Sequence, residues 1–345
     1  MRTASFDQGL YRGARPRFAF TATSPQEVRQ WQAAFRPELR RALGLERMQQ
    51  TLSAHVPTAR QIDSQAMDGY VRESWLLEVE PQMSLPFYLL KPMPAPGPLP
   101  LVLTPHGHNH PHIYAGIYHN DAQRQSIIEG DRDIAVQAVK QGYFAIAPTT
   151  RGFGDTRTEN DLQKQHLSSC RVQLMHGLLV GRTAIGERVW DIERLIDWAL
   201  VNLPVDPARI AITGNSGGGT TSLFAAACDE RIALAMPSSY FCTFVDSIGS
   251  IHHCDCNYVP GLLTLGEMHD VAGLIAPRPF QAINGLNDDI FPIAATRRAY
   301  AGLRQVYQVL GVADRCGLYE GTGGHRFYAA GAWPFLRRFF AAPTP

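Results

Sequence analysis

Between residues 209 and 227 an apolar run, Arg209-Ile210-Ala211-Ile212-Thr213, breaks at Gly214-Asn215-Ser216-Gly217-Gly218-Gly219 and resumes as a run of small and apolar residues. The first part reads as a short buried strand and the last as a helix. A strand, a tight turn and a helix in immediate succession belong in a parallel sheet covered by helices. The turn fits the pattern G-x-S-x-G. Small neighbours are needed there because the backbone at such a tip is strained and closely packed. Ser216 is therefore a candidate nucleophile. The N–H of Gly217, at the start of the following helix, is a candidate donor to a developing oxyanion. A glycine-rich turn with a capping serine fits the same letters; the strand–turn–helix setting favours the nucleophile.

The rest of the chain repeats the unit. Strands are expected at 71–79, 87–90, 99–104, 143–147, 209–213, 233–237, 279–284 and 315–319. Helices are expected at 133–140, 187–201, 216–227, 294–310 and 332–340. The fold class is α/β, with a mostly parallel sheet and helices on both faces. Before it, Ser24 and Pro25 open a helix whose Val28, Trp31, Phe35 and Leu39 recur at helical spacing, and Gly44 closes it. Residues 1–23 show no period and read as a loose arm. We divide the chain into an arm and helical extension (1–64) and a catalytic domain (65–345), with a cap-like insertion at about 239–272.

A serine nucleophile needs a histidine base, and the histidine needs an orienting carboxylate. Acid and base follow Ser216 in the order such sheets use. Asp288 lies on the loop after the 279–284 strand, beside Asp289. His325 follows Gly321-Thr322-Gly323-Gly324. Taken singly, the aspartates read equally as turn formers and His325 as a loop histidine.

The run Pro105-His106-Gly107-His108-Asn109-His110-Pro111-His112 follows the 99–104 strand. A second oxyanion donor is expected on that loop, and we assign it to the N–H of His108. Four histidines in the run, with His252-His253-Cys254-Asp255-Cys256 further on, raise a metal as a rival reading. The run has neither a cysteine pair at finger spacing nor HExxH. We therefore expect no metal and no cofactor, with Cys254 and Cys256 as buried, inert thiols.

Composition excludes several classes. A net charge of +1 gives no nucleic-acid footprint. No stretch reaches the roughly 20 apolar residues of a membrane helix. Six cysteines in 345 residues do not make a disulfide scaffold. The first residues lack a signal-peptide core, so a cytoplasmic location is expected. Whether the chain forms a homo-oligomer stays open.

Taken together these residues resemble the α/β-hydrolase superfamily, and more narrowly its dienelactone hydrolase and acetyl xylan esterase-like groups, from about residue 65 to the C-terminus. The marks are His106-Gly107-His108, Arg151-Gly152-Phe153-Gly154, Asp191 with Asp197-Trp198, Val205-Asp206-Pro207-Ala208-Arg209-Ile210, Gly214-Asn215-Ser216-Gly217-Gly218, Ala276-Pro277-Arg278-Pro279, and Gly285-Leu286-Asn287-Asp288-Asp289-Ile290-Phe291-Pro292. The resemblance implies Ser216 as nucleophile, Asp288 as acid and His325 as base. Dienelactone hydrolases proper carry cysteine at the Ser216 position, which points away from their substrate. The implied reaction is hydrolysis of a small carboxylic ester, an acetylated sugar among the candidates, through an acyl-enzyme. Tyr240, Phe241, Phe244, His252, His253 and Tyr258 in the cap-like segment are expected either to wall a compact acyl pocket or to be ordinary core. Two rivals are a prolyl oligopeptidase-type serine peptidase, which would need an N-terminal propeller, and an inactive hydrolase fold used for binding.

Overall fold

The computed structural model describes residues 3–95 and 97–340. Among the described residues nine strands form one sheet: β1 (Thr58–Met67), β2 (Tyr70–Glu80), β3 (Met83–Pro92), β4 (Leu99–Leu103), β5 (Phe144–Pro148), β6 (Val205–Asn215), β7 (Leu234–Ser238), β8 (Phe280–Gly285) and β9 (Cys316–Gly321). Their order is β1-β2-β3-β5-β4-β6-β7-β8-β9. The pairs from β5–β4 through β8–β9 are parallel, and β1, β2 and β3 join as an antiparallel ribbon on one side. Strands β4, β5, β7 and β8 are buried along their whole length. That is why they read as dense apolar runs, as strands covered on both faces do.

Helices cover the two faces. One core holds Phe35 and Leu39 of helix Pro25–Leu43, Val189 and Trp190 of helix Ala184–Asn202, Phe224 of helix Gly217–Cys228 and Leu303 of helix Ile293–Val309. The other packs Ile134 of helix Ile134–Val139 against Trp333 and Leu336 of helix Ala329–Phe339. Among the described residues no helix is long and apolar enough to cross a membrane.

The chain leaves β4 toward β5 on one side and returns to β6 on the other. The strand order therefore reverses between β4 and β6, and a crevice opens at their C-terminal ends, where sheets of this kind hold their ligands. Ser216 follows β6 at that crevice, and the histidine run follows β4.

The N-terminal region differs from the sequence-based expectation in two ways. Residues 14–23 are not loose. Arg17 and Phe18 N–H groups donate to the Thr264 and Leu265 carbonyls, and the Phe20 N–H donates to Asp270. Backbone bonds of this kind leave no side-chain period to detect. Thr3–Gly13 is helical, and residues 1–2 of the expected arm lie outside the described residues. Secondly, β1 runs across residue 64, so the division placed there falls inside a strand. Helix Pro25–Leu43, capped by Ser24 and ended by Gly44 at φ 86°, sits in the main core. Its Gln32 amide donates to the Gly273 and Ala276 carbonyls, and Arg40 pairs with Glu193 at 2.5 Å.

Residues shared with the resembled groups prove to be braces. Arg278 donates to the carbonyls of Ala226, Asp229 and Ile232, tying off the end of helix Gly217–Cys228. Buried Arg151 pairs with Asp191 at 2.5 Å and Glu80 at 2.7 Å. Burial raises the Asp191 carboxyl to about 6, against the pull of Arg151.

Candidate active site

Ser216 has φ 58° and ψ −118°, a region that non-glycine residues avoid. Its neighbours hold it there. The Ser216 N–H donates to the Ser238 carbonyl at 2.9 Å, and the N–H of Asn215 donates to the buried Tyr114 hydroxyl at 3.2 Å. The packing leaves no room for side chains. A Cβ on Gly218 would lie 2.0 Å from the Pro105 carbonyl oxygen, and one on Gly107 would lie 2.7 Å from that of Asn215. The loop after β4 is thus pressed against the turn after β6, and Gly107 and Gly217 pack against each other.

Ser216 faces a cavity of about 450 Å³. His325 faces the same cavity. Its Nδ1 lies 2.9 Å from Asp288 Oδ2. The Asp288 side chain is fully buried, and its Oδ1 accepts the N–H groups of Ile290 and Phe291 at 3.0 Å each. With both oxygens engaged, the carboxylate is fixed in orientation and stays an acceptor. The imidazole stacks near Phe291, with ring centroids 5.8 Å apart. Asp289, the neighbouring candidate, points to solvent. Ser216 and His325, just past the ends of β6 and β9, thus line one cavity, with Asp288 from the loop after β8 bonded to His325.

The four histidines of the run have three different fates. His106 is buried. Its Nδ1–H donates to the Gly107 carbonyl at 2.7 Å, and its Nε2 accepts the Thr150 N–H at 2.8 Å. Burial pushes its imidazole down to about 3. His108 lines the cavity while its Nε2 lies 3.7 Å from the sulfurs of both Cys170 and Cys256. His110 and His112 stack on each other beside His119. Neither lines the cavity.

The expected pocket residues divide as well. His253 lines the cavity, and burial lowers its imidazole to about 4. Tyr240 and Phe241 do not line it. Both are fully buried in the core, Phe241 against Phe280 and Tyr240 beneath the turn at Gly219. Residues directly after β7 enter the sheet's packed layer before the chain emerges as a cap. His252, expected there too, lines the cavity, whereas Phe244 and Tyr258 do not; the rest of the wall includes Asn109, Tyr114, Arg132, Asn215 and Arg326 with the apolar Ile134, Ile251, Ile290 and Phe327. Sequence reasoning missed Tyr114 and Arg132, which carry no motif signal.

His106 gives a stability prediction. In the unfolded chain a histidine takes a proton near 6.5, whereas folded His106 resists one down to about 3. Between these values the unfolded state binds more protons, so stability falls as pH falls through that window and is intact above it. His253 acts in the same direction. The His106 contribution is about 2 kcal/mol between pH 6.5 and 5. Thermal melts should show Tm dropping over that interval, with a shallower drop in His106→Gln, whose amide oxygen can still accept the Thr150 N–H. An unchanged slope in the variant contradicts the assignment.

Comparison with known proteins fits this geometry. Residues 177–240 match the family model described as glucuronyl esterase of fungi. A candidate hydrolase of Bacillus subtilis (strain 168), YtaP, is 28% identical over 266 residues, covering 73% of this chain and 82% of that protein. A 4-O-methyl-glucuronoyl methylesterase of Cerrena unicolor is 30% identical over 210 residues, covering 52% of this chain. This match spans 43% of that protein's length. In three dimensions, a candidate acetyl xylan esterase from Bacteroides fragilis NCTC 9343 superposes with a TM-score of 0.76 at 19% identity, over 97% of this chain and 84% of that one. A glucuronoyl esterase from Solibacter usitatus gives 0.65 at 14% identity, over 94% and 98%. The structural likenesses bear on the fold, and the sequence relatives bear on the chemistry. Sheet order and structural likeness give this chain the α/β-hydrolase fold, and its sequence relatives make it similar to carboxylic ester hydrolases.

Proposed function

We propose that the chain hydrolyses small, polar carboxylic esters through an acyl-enzyme formed on Ser216. The observation that carries this reading is a strained serine facing the same cavity as a histidine already paired with a buried carboxylate. Ser216 attacks the ester carbonyl. His325 takes the hydroxyl proton and returns it to the leaving alcohol. Asp288 holds the Nδ1–H tautomer of His325 and stabilises the imidazolium. The N–H groups of Gly217 and His108 receive the oxyanion, an arrangement supported by the contact of their two loops. Loss of one such donor typically costs about 10²–10³ in rate. Water then repeats the sequence on the acyl-enzyme.

The cavity wall supports a polar, sugar-derived substrate. Arg132, Arg326, Asn109, Asn215 and His252 offer donors suited to hydroxyl and carboxylate oxygens. The names of the relatives, glucuronoyl and acetyl xylan esterases, point the same way. A panel of p-nitrophenyl esters run beside aminoacyl-proline amides tests the reading. Ester turnover without amide turnover is expected, and the reverse supports the peptidase alternative.

A further expectation concerns acyl length. Each buried methylene contributes about 0.8 kcal/mol where an apolar channel receives it. The cavity is lined by Ile134, Ile251, Ile290 and Phe327 as well as by polar groups, so the expected preference for acetyl over octanoyl rests on the likeness to acetyl esterases. kcat/KM should be highest for acetyl; a steady rise to eight carbons contradicts this.

A further inference from the structure

Beside the cavity, four side chains from three separate segments point at one another. They are His108 from the loop after β4, Cys170 at the start of helix Cys170–Leu179, and Cys254 and Cys256 from the cap-like segment. Their ligand atoms, Nε2 and three Sγ, all lie within 4.8 Å of one another. The Cys254–Cys256 sulfurs are 3.2 Å apart, and His108 Nε2 is 3.7 Å from both Cys170 and Cys256. Zinc–sulfur bonds of about 2.3 Å place the corners of a tetrahedron about 3.8 Å apart. The four atoms already outline such a figure. Cys170 and Cys256 are buried.

The surroundings supply what a thiolate-bound metal needs. Zinc with three thiolates and a neutral imidazole carries one net negative charge. Arg188 is buried beside it, its guanidinium donating to Cys170 Sγ at 3.5 Å and to the Arg151 carbonyl at 3.3 Å. Among the described residues no carboxylate lies within ion-pair distance of Arg188, and its Nε has no hydrogen-bond partner. A buried guanidinium with no counter-charge is costly. An anionic metal–thiolate centre provides that counter-charge. Asn257 Nδ2 donates to Cys256 Sγ at 3.6 Å, a second N–H···S contact of the kind that orients metal-bound sulfur.

We propose that His108 Nε2, Cys170, Cys254 and Cys256 bind one zinc ion as a closed structural site. Cys₃His is an established tetrahedral set for zinc, and thiolate-rich sets favour it over hard cations. With four protein ligands no position is open for water or ester, so the metal takes no part in hydrolysis. Its effect is to tie the loop bearing the His108 N–H, helix Cys170–Leu179 and the cap-like segment together at the edge of the cavity. This replaces the expectation of no metal, which rested on ligand spacing within single motifs.

The test is metal analysis of the whole chain, expressed without a polyhistidine tag and purified under reducing conditions without chelator. About one equivalent of zinc per chain is expected. Titration with an organomercurial should release it in step with the ligating thiols. Cobalt(II) exchanged into the site should show the charge-transfer and visible bands of tetrahedral thiolate coordination. Cys170→Ser and Cys256→Ser should lose the metal, whereas Cys228→Ala, at a buried thiol outside the cluster, should keep it. If the serine variants do not fold, the wild-type mercurial and cobalt measurements still decide. Metal-free wild-type protein overturns the proposal, whether its cysteines are free thiols or a disulfide joins two of the cluster, and so does iron or copper in place of zinc. None of these readouts needs ester turnover, so a negative result here leaves the Ser216 reading standing.

Discussion

Ser216→Ala is expected to lower kcat for a p-nitrophenyl ester by at least about 10⁴-fold, toward the roughly 10⁶-fold cost of removing a serine hydrolase nucleophile. The size of the loss follows from the reaction path: without the hydroxyl no acyl-enzyme forms, and only binding and oxyanion contacts remain. The fold should be indifferent. Alanine keeps the Cβ, so the conformation at φ 58° is as accessible to it as to serine. The backbone bond from residue 216 to the Ser238 carbonyl also survives the change. Steady-state kinetics beside a thermal melt checks both halves. An active variant with unchanged Tm contradicts the nucleophile assignment.

The second large effect separates two adjacent carboxylates. Asp288→Asn should cost two or more orders of magnitude in kcat, up to the roughly 10⁴-fold of the serine protease precedent. The physical cause lies in the hydrogen bonds. Asp288 Oδ1 accepts two backbone N–H groups, which hold an asparagine oxygen in that place and turn the amide NH₂ toward His325 Nδ1. Two donors then face each other, and the imidazole is driven to the tautomer protonated on Nε2, which cannot take the proton from the Ser216 hydroxyl. Asp289→Asn should stay within about tenfold, on the order of 1.4 kcal/mol of barrier, because the side chain is exposed. Kinetics on the two variants decides. A crippled Asp289→Asn beside a nearly normal Asp288→Asn reverses the assignment, and two nearly normal variants place the acid elsewhere.

The parts of this molecule that are legible in the sequence are those whose physics is local. The turn at Ser216 announces itself because strand, glycines and helix are contiguous. Strands β4, β5, β7 and β8 are buried on both faces, so their apolar runs stand out. Strand β1 is the opposite case. It is exposed along almost all of its length, and Thr58–Met67 shows no alternation because only its ladder with β2 makes it a strand. Asp288 and His325 could be singled out because each sits on a loop just past a strand end. The choice between Asp288 and Asp289 came from the resemblance and not from the residues themselves.

Other features become visible only when distant segments meet. Tyr240 and Phe241 look like pocket walls in the sequence, yet the chain carries them into the core before it reaches the cavity. The histidine run looks like one motif. In the fold, His106 holds the loop after β5, His108 reaches a sulfur cluster and the other two stack on each other. The cluster is legible only in part: the histidine run and the Cys254–Cys256 segment suggest a metal, but Cys170 carries no signal and nothing in the sequence joins the segments. Its ligands lie on three segments, with Cys170 62 residues beyond His108 and Cys256 148 residues beyond it.

The central claim is that Ser216 alone carries the covalent step, and labelling with a fluorophosphonate probe tests it most directly. Such a probe phosphonylates a serine only when a base activates it and an oxyanion site receives the charge. Intact mass measurement should show a single adduct per chain, peptide mapping should place it on Ser216, and ester turnover should fall in proportion to labelling. Ser216→Ala should take up no probe. A chain that stays fully active after labelling, or an adduct that persists in Ser216→Ala and maps elsewhere, contradicts the account.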